Sequence, residues 1–195
     1  LANRTEIVVS PLSALMKDRS DGLRRCGYPA AALHSNMTLP ELRAAEEQAA
    51  AGAVRLLFVA PERLVTPRFM SFLDRLDVRA FAIDEAHCIS HWGHDFRPDY
   101  RQLAVLKQRF PGASLHAYTA TATPRVREDI VAQLRLVDPS ILVGIFDRPN
   151  LTYRVVPRID VYAQTLEAVR RHAGQAVIVY CLSRRDTEEM AAWLT

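Results

Sequence analysis

Cysteine is scarce in this chain. The 195 residues hold three, Cys26, Cys88 and Cys181, which are far apart and odd in number. That argues against a disulfide framework and leads us to expect a reducing, intracellular compartment. No apolar run is long enough to span a bilayer as a helix, and no signal peptide is visible, so no membrane partner is expected. A large net charge is also missing. The formal value of +3 neither demands nor excludes a nucleic-acid partner, because local patches matter more than the total. There is no internal repeat. The chain starts at Leu1 rather than Met and stops at Thr195 inside an apparent helix, so we expect a fragment of a longer protein.

What is present is an alternation of short apolar runs with longer helical patterns. The runs lie at 6–9, 30–33, 54–60, 79–83, 114–118, 141–146, 151–156 and 176–181. Most lack polar alternation, as strands covered on both faces do. The expected fold class is therefore α/β, with a mostly parallel sheet flanked by helices. Ser10 and Pro11 read as an N-cap and first helical residue, with the helix running as far as Gly27. Thr38 and Glu41 form a capping box with Gly52 as a stop, Thr123-Pro124 opens another helix, and Asp160 and Ser183 cap the last two. Pro149 and Pro157 bracket an extended connector, which divides the chain into 1–147, 148–159 and 160–195.

The chemistry concentrates in DEAHCISHWGHDFRPDY, residues 84–100. The apolar run 79–83 leads straight into Asp84 and Glu85. In an open parallel sheet, ligands bind beyond the carboxyl ends of the strands. There Asp84 can hold Mg²⁺ through water, and Glu85 can orient and deprotonate a water attacking a γ-phosphate. The bland alternative is a helix cap at Asp84 and a solvated Glu85. Thr119, Thr121 and Thr123 end another apolar run and can bond to the acidic segment, with His87 as the link. Thr123 as a plain cap remains open. Ser10, Pro11 and Lys17 follow the first strand and can meet a DNA phosphate, or can simply cap and be solvated. Arg63 has the same choice between DNA and an ion pair.

His87, Cys88, His91 and His94 invite a zinc reading. A tight zinc site usually pairs two short ligand clusters, and no second cluster exists here, so zinc is disfavoured. Cys88 and Ile89 read as core, as does a small buried thiol at Cys181. Trp92 and Phe96 flank Gly93 in a polar loop, where aromatics near cations form platforms for single-stranded bases. Folding back as a small core is the alternative. Arg97 can bind phosphate or stack.

These segments resemble superfamily 2 helicases, and specifically the RecQ family. DEAH after an apolar strand resembles motif II, and CISHWGHDFRPDY resembles the family's aromatic-rich loop. VVSPLSALMKD (8–18), VAPERL (59–64), TATAT (119–123), FDRPNL (146–151) and VIVYCLSRRD (177–186) resemble motifs Ia, Ib and III, the interdomain connector and motif IV. The resemblance implies most of a first RecA-like domain and the start of a second. It implies ATP and Mg²⁺ as cofactors, with Asp84, Glu85, His87, Thr119 and Thr121 at the nucleotide. It implies single-stranded and partly duplex DNA as partners of Ser10, Pro11, Lys17, Arg63, Trp92, His94, Phe96, Arg97, Ser183 and Arg184. His91 departs from the glutamine or glutamate expected there and receives no role. The glycine-rich GxGKS loop of the family does not occur in these residues, so the isolated chain is expected to be inactive or nearly so. The resemblance implies a cytoplasmic, nucleoid-associated protein if bacterial and a nuclear one if eukaryotic. A superfamily 2 RNA helicase, a metal-dependent nuclease and a non-catalytic nucleic-acid-binding remnant are the alternatives.

Overall fold

Apolar residues at successive positions of a short strand require cover on both faces, which a parallel sheet between helices provides. A computed structural model describes residues 4–34, 37–144 and 148–194 and shows this arrangement. The chain divides into two units, 1–141 and 142–195. The predicted division at Asp147, and Phe146 of the connector, lie outside the described residues.

In the first unit, β1 (Arg4–Val9) leads to α1 (Ser13–Arg25), β2 (Ala30–Leu33), α2 (Leu39–Ala50) and β3 (Leu56–Val59). Two short helices follow, α3 (Pro61–Leu64) and α4 (Pro67–Leu73), then β4 (Asp77–Ile83). After a 3₁₀ turn at Ala86–Ile89 come α5 (Pro98–Arg101), α6 (Val105–Arg109), β5 (Ser114–Ala117) and α7 (Pro124–Gln133). The sheet order is β2-β3-β1-β4-β5, every pair parallel. Ile7, Val9, Leu33, Leu57, Val59 and Ile83 are fully buried and form its core with Phe81 and the helix residues Leu64, Leu73, Leu103 and Leu106.

Register decides where the site lies. Leu33 pairs with Val59, Val59 with Val9, Val9 with Ile83, and Ile83 with Ala117. The strands therefore end in one row, and His34, Ala60, Ser10, Asp84 and Tyr118 leave the sheet along a single edge. Backbone bonds extend that edge by one step: Asp84 N donates to Val9 O at 2.8 Å, Ser10 N to Val59 O at 3.1 Å, and Tyr118 N to Ile83 O at 2.8 Å.

Most of the predicted caps form. Thr38 and Glu41 make a reciprocal capping box, and the helix stops at Ala51 with Gly52 at φ 73°, a left-handed conformation that glycine adopts without a Cβ clash. Thr123 accepts from Val126 N, and Asp160 accepts from Ala163 N at 3.0 Å. The Ser10-Pro11 cap does not form. Helix α1 starts later, with Leu12 at the capping position and no side-chain cap, because the Ser10 hydroxyl is used at the sheet edge instead.

The second unit contains α8 (Val161–Arg171) and α9 (Arg184–Leu194). The strands expected at 151–156 and 176–181 are coil, as are 141–144, while Ile145 and Phe146 lie outside the described residues. A strand is defined by its ladder, and no described segment pairs with these runs. Ile178, Tyr180 and Leu182 are accordingly exposed, and Cys181 is half-buried in coil rather than packed at a strand end. No helix among the described residues is long and apolar enough to cross a membrane.

Candidate active site and nucleic-acid interface

Asp84 takes the first position beyond β4, with its side chain held by three donors. Its Oδ1 accepts from Glu85 N at 3.1 Å, and its Oδ2 from Ser10 Oγ at 3.4 Å and from Arg19 Nη1 at 2.8 Å. Its backbone carbonyl accepts from the hydroxyl of Tyr100, a fully buried side chain, at 3.0 Å. Burial pushes the Tyr100 phenol well up from its ordinary value, so it remains a protonated donor.

Glu85 adopts φ 50° and ψ 43°, the left-handed region, which costs a non-glycine residue about 1–2 kcal/mol. The chain turns sharply here, and the surrounding bonds hold the turn: Ala86 N donates to Tyr118 O, and Cys88 N to Glu85 O, both at 2.9 Å. The turn presents a carboxylate that remains 40% exposed, beside a His87 ring that is buried. His87 Nδ1 stands 3.0 Å from Thr119 Oγ1 and 3.3 Å from Glu85 Oε2. Burial lowers the His87 pKa, and the neighbouring His94 adds to this, against opposing pulls from Glu85 and Asp95. A neutral imidazole thus joins the ends of β4 and β5. Thr119 Oγ1 also accepts from Thr121 N at 3.3 Å, while the Thr121 side chain is exposed.

The aromatic loop folds back onto this turn. Arg97 N donates to Cys88 O at 2.8 Å, and Gly93 N to Ser90 O at 3.1 Å. Gly93 packs so closely that a Cβ there would lie 2.6 Å from the His87 carbonyl oxygen. His94 stacks on His87 at 4.3 Å between ring centroids, and His91 lies 3.7 Å from Phe96. The Arg101 guanidinium lies over the Phe96 ring, 5.2 Å from its centroid, and Arg97 pairs with Asp95 at 2.9 Å. Phe96 is therefore partly folded back, whereas Trp92 stays 60% exposed with the Arg125 guanidinium 3.2 Å from its ring centroid. Cys88 and Ile89 are core, as expected. Burial, then Asp95, pushes the Cys88 thiol up to about 11.

The remaining predicted residues separate. Ser10 is buried with its hydroxyl on Asp84 rather than facing solvent. Pro11 is half-buried between β1 and α1, and exposed Lys17 pairs with Asp21 on its own helix at 2.9 Å. Arg63 is half-buried on α3, after β3 at the same sheet edge. Ser183 caps α9 by accepting from Asp186 N at 3.1 Å, and Arg184 is exposed beside it, both in the second unit. Sequence reasoning missed Arg19, Tyr100 and Arg125.

Residues 2–130 match the family model described as DEAD/DEAH box helicase. The chain belongs to the DEAD/DEAH box helicase family. Its similar relatives include helicases of the RecQ type. It is 42% identical over 95% of its length to the ATP-dependent DNA helicase RecQ of Pasteurella multocida, and 40% identical over 95% to the RecQ-like DNA helicase BLM of Xenopus laevis. It spans 29% and 14% of those two relatives. The fold is similar to that of the Mycobacterium smegmatis helicase Lhr, solved bound to ssDNA and AMP-PNP. The TM-score is 0.59 at 21% identity, covering 98% of this chain and 28% of that one.

Proposed function

We propose that this chain forms the water-activating and DNA-contacting part of a longer ATP-dependent, RecQ-type DNA helicase. The whole protein couples Mg-ATP hydrolysis to movement along single-stranded DNA and separation of duplexes, with 3′-to-5′ polarity, in DNA repair and recombination. Polarity and the repair role are carried over from the resemblance to the RecQ family.

The observation that carries the reading is continuity between two tools. Asp84, Glu85 and His87 stand at the strand ends, and the loop bearing Trp92, His94, Phe96 and Arg97 bonds back onto the same turn. Bound DNA that moves the loop acts through His94 and the Cys88 carbonyl on the His87–Glu85 pair. The Glu85 carboxylate accepts the proton of the attacking water and orients it. His87 and Thr119 hold that carboxylate's neighbourhood in register with β5, and the exposed Thr121 side chain stands beside them. Asp84 and Ser10 offer hard oxygen donors, and a carboxylate reached through water suits the hydration shell Mg²⁺ retains, so the residues fit the ion. When bound, Mg²⁺ supplies charge neutralisation at the phosphate oxygens. Trp92 offers an exposed face for base stacking, and Arg63, Arg97 and Lys17 offer charge for phosphates.

Glu85→Gln in the full-length protein tests this. The substitution keeps shape and removes the base, so hydrolysis is expected to fall by about 10²–10⁴-fold while ATP and DNA binding persist. Retained turnover contradicts the assignment. The 195 residues alone, which contain no GxGKS loop, are expected to hydrolyse ATP poorly or not at all.

A further inference from the structure

Arg19 reaches Asp84 across 65 residues of sequence. It sits in the middle of α1, half exposed, and its Nη1 lies 2.8 Å from Asp84 Oδ2. The other carboxylate oxygen is engaged by the Glu85 amide, and Oδ2 already accepts from Ser10. The two recorded bonds at Oδ2 thus come from a hydroxyl and from a permanent cation. A guanidinium and a hydrated divalent ion cannot both occupy the same carboxylate oxygen without like-charge repulsion.

We propose that Arg19 is a positioning residue that competes with the divalent cation for Asp84. In the resting site the ion pair fixes the carboxylate's rotamer and neutralises it. Cation binding requires the pair to open, which sets the ion's affinity below that of a free carboxylate in the same place. The proposal rests on the reading of Asp84 as the cation's anchor.

Mn²⁺ alone, titrated into the chain and followed by the loss of the free-ion electron paramagnetic resonance signal, tests it without requiring turnover. Arg19→Gln removes the charge, keeps a helix-forming residue on an exposed position, and is expected to tighten Mn²⁺ binding by about two- to five-fold, the range a half-exposed ion pair supports. Arg19→Lys retains the charge and is expected to stay close to wild type, an outcome that a merely structural role for the side chain does not produce. Equal affinity in wild type and Arg19→Gln overturns the proposal, as does failure of Mn²⁺ to bind either protein. Adding Asp84→Asn to Arg19→Gln separates the two readings. If tightened binding survives that change, the ion sits elsewhere and the Asp84 assignment itself falls.

Discussion

Tyr100→Phe removes one oxygen from the core and leaves the ring in place. Tyr100 is fully buried, and its hydroxyl donates to the Asp84 carbonyl at 3.0 Å, just where β4 gives way to the left-handed Glu85 turn. The ring still fills its space, so no cavity term enters. The loss is one hydrogen bond to a carbonyl at a buried turn, about 1–3 kcal/mol if that carbonyl goes without a replacement. For a chain of this size about 2–4 °C accompanies each kcal/mol, which gives a fall of about 2–12 °C in Tm. Far-ultraviolet circular dichroism should record it in the transition of the larger unit, because the affected bond lies there. The Asp84 carboxylate keeps its contacts to Ser10 and Arg19, so the fold should survive with a loosened turn. A Tm change of less than about 1 °C would refute the reasoning that this hydroxyl anchors the carboxylate-bearing backbone.

One further substitution and one labelling experiment probe the neighbouring loop. Gly93→Ala places a Cβ 2.6 Å from the His87 carbonyl oxygen, so backbone must shift. Limited proteolysis between residues 90 and 97 should accelerate, with a stability loss of about 1–3 kcal/mol, and an unchanged digestion pattern contradicts the close approach. Cys88 is fully buried with its thiol pushed up to about 11 by burial and then Asp95. At pH 8 only about one in a thousand such groups is thiolate. In native protein an alkylating reagent should modify exposed Cys26 first and Cys88 only after unfolding. Early labelling of Cys88, read by peptide mass, contradicts its placement.

Much of the first unit can be read from local sequence because local rules decide it. Short apolar runs mark β1 to β5, and the Thr38 and Thr123 caps follow from hydroxyl chemistry a few residues away, as the Asp160 cap follows from its carboxylate in the second unit. The Asp84-Glu85 pair is visible because it interrupts an apolar strand. Ser10-Pro11 misleads because a serine before proline spells a cap equally well when its hydroxyl is taken by a distant carboxylate. Arg19 with Asp84, Tyr100 with the Asp84 carbonyl, and Arg125 with Trp92 are joined only by the folded sheet, and no periodicity marks them. Phe96 is half-buried rather than open, since His91 and Arg101 meet it from positions whose contacts sequence does not specify. The runs at 151–156 and 176–181 have strand composition, yet a strand needs a neighbour as well as a composition, and the described chain supplies none.

The proposed function makes the DEAH carboxylates and the adjoining aromatic loop one coupled device that responds to DNA. The most direct measurement is ATP turnover by the full-length protein with and without single-stranded DNA, in wild type and in Trp92→Ala, with single-stranded RNA as the comparison. Strong stimulation by DNA over RNA is expected in wild type. Most of that stimulation is expected to be lost in Trp92→Ala while nucleotide binding is unchanged. Equal stimulation of both proteins by DNA, or preferential stimulation by RNA, would contradict that coupling.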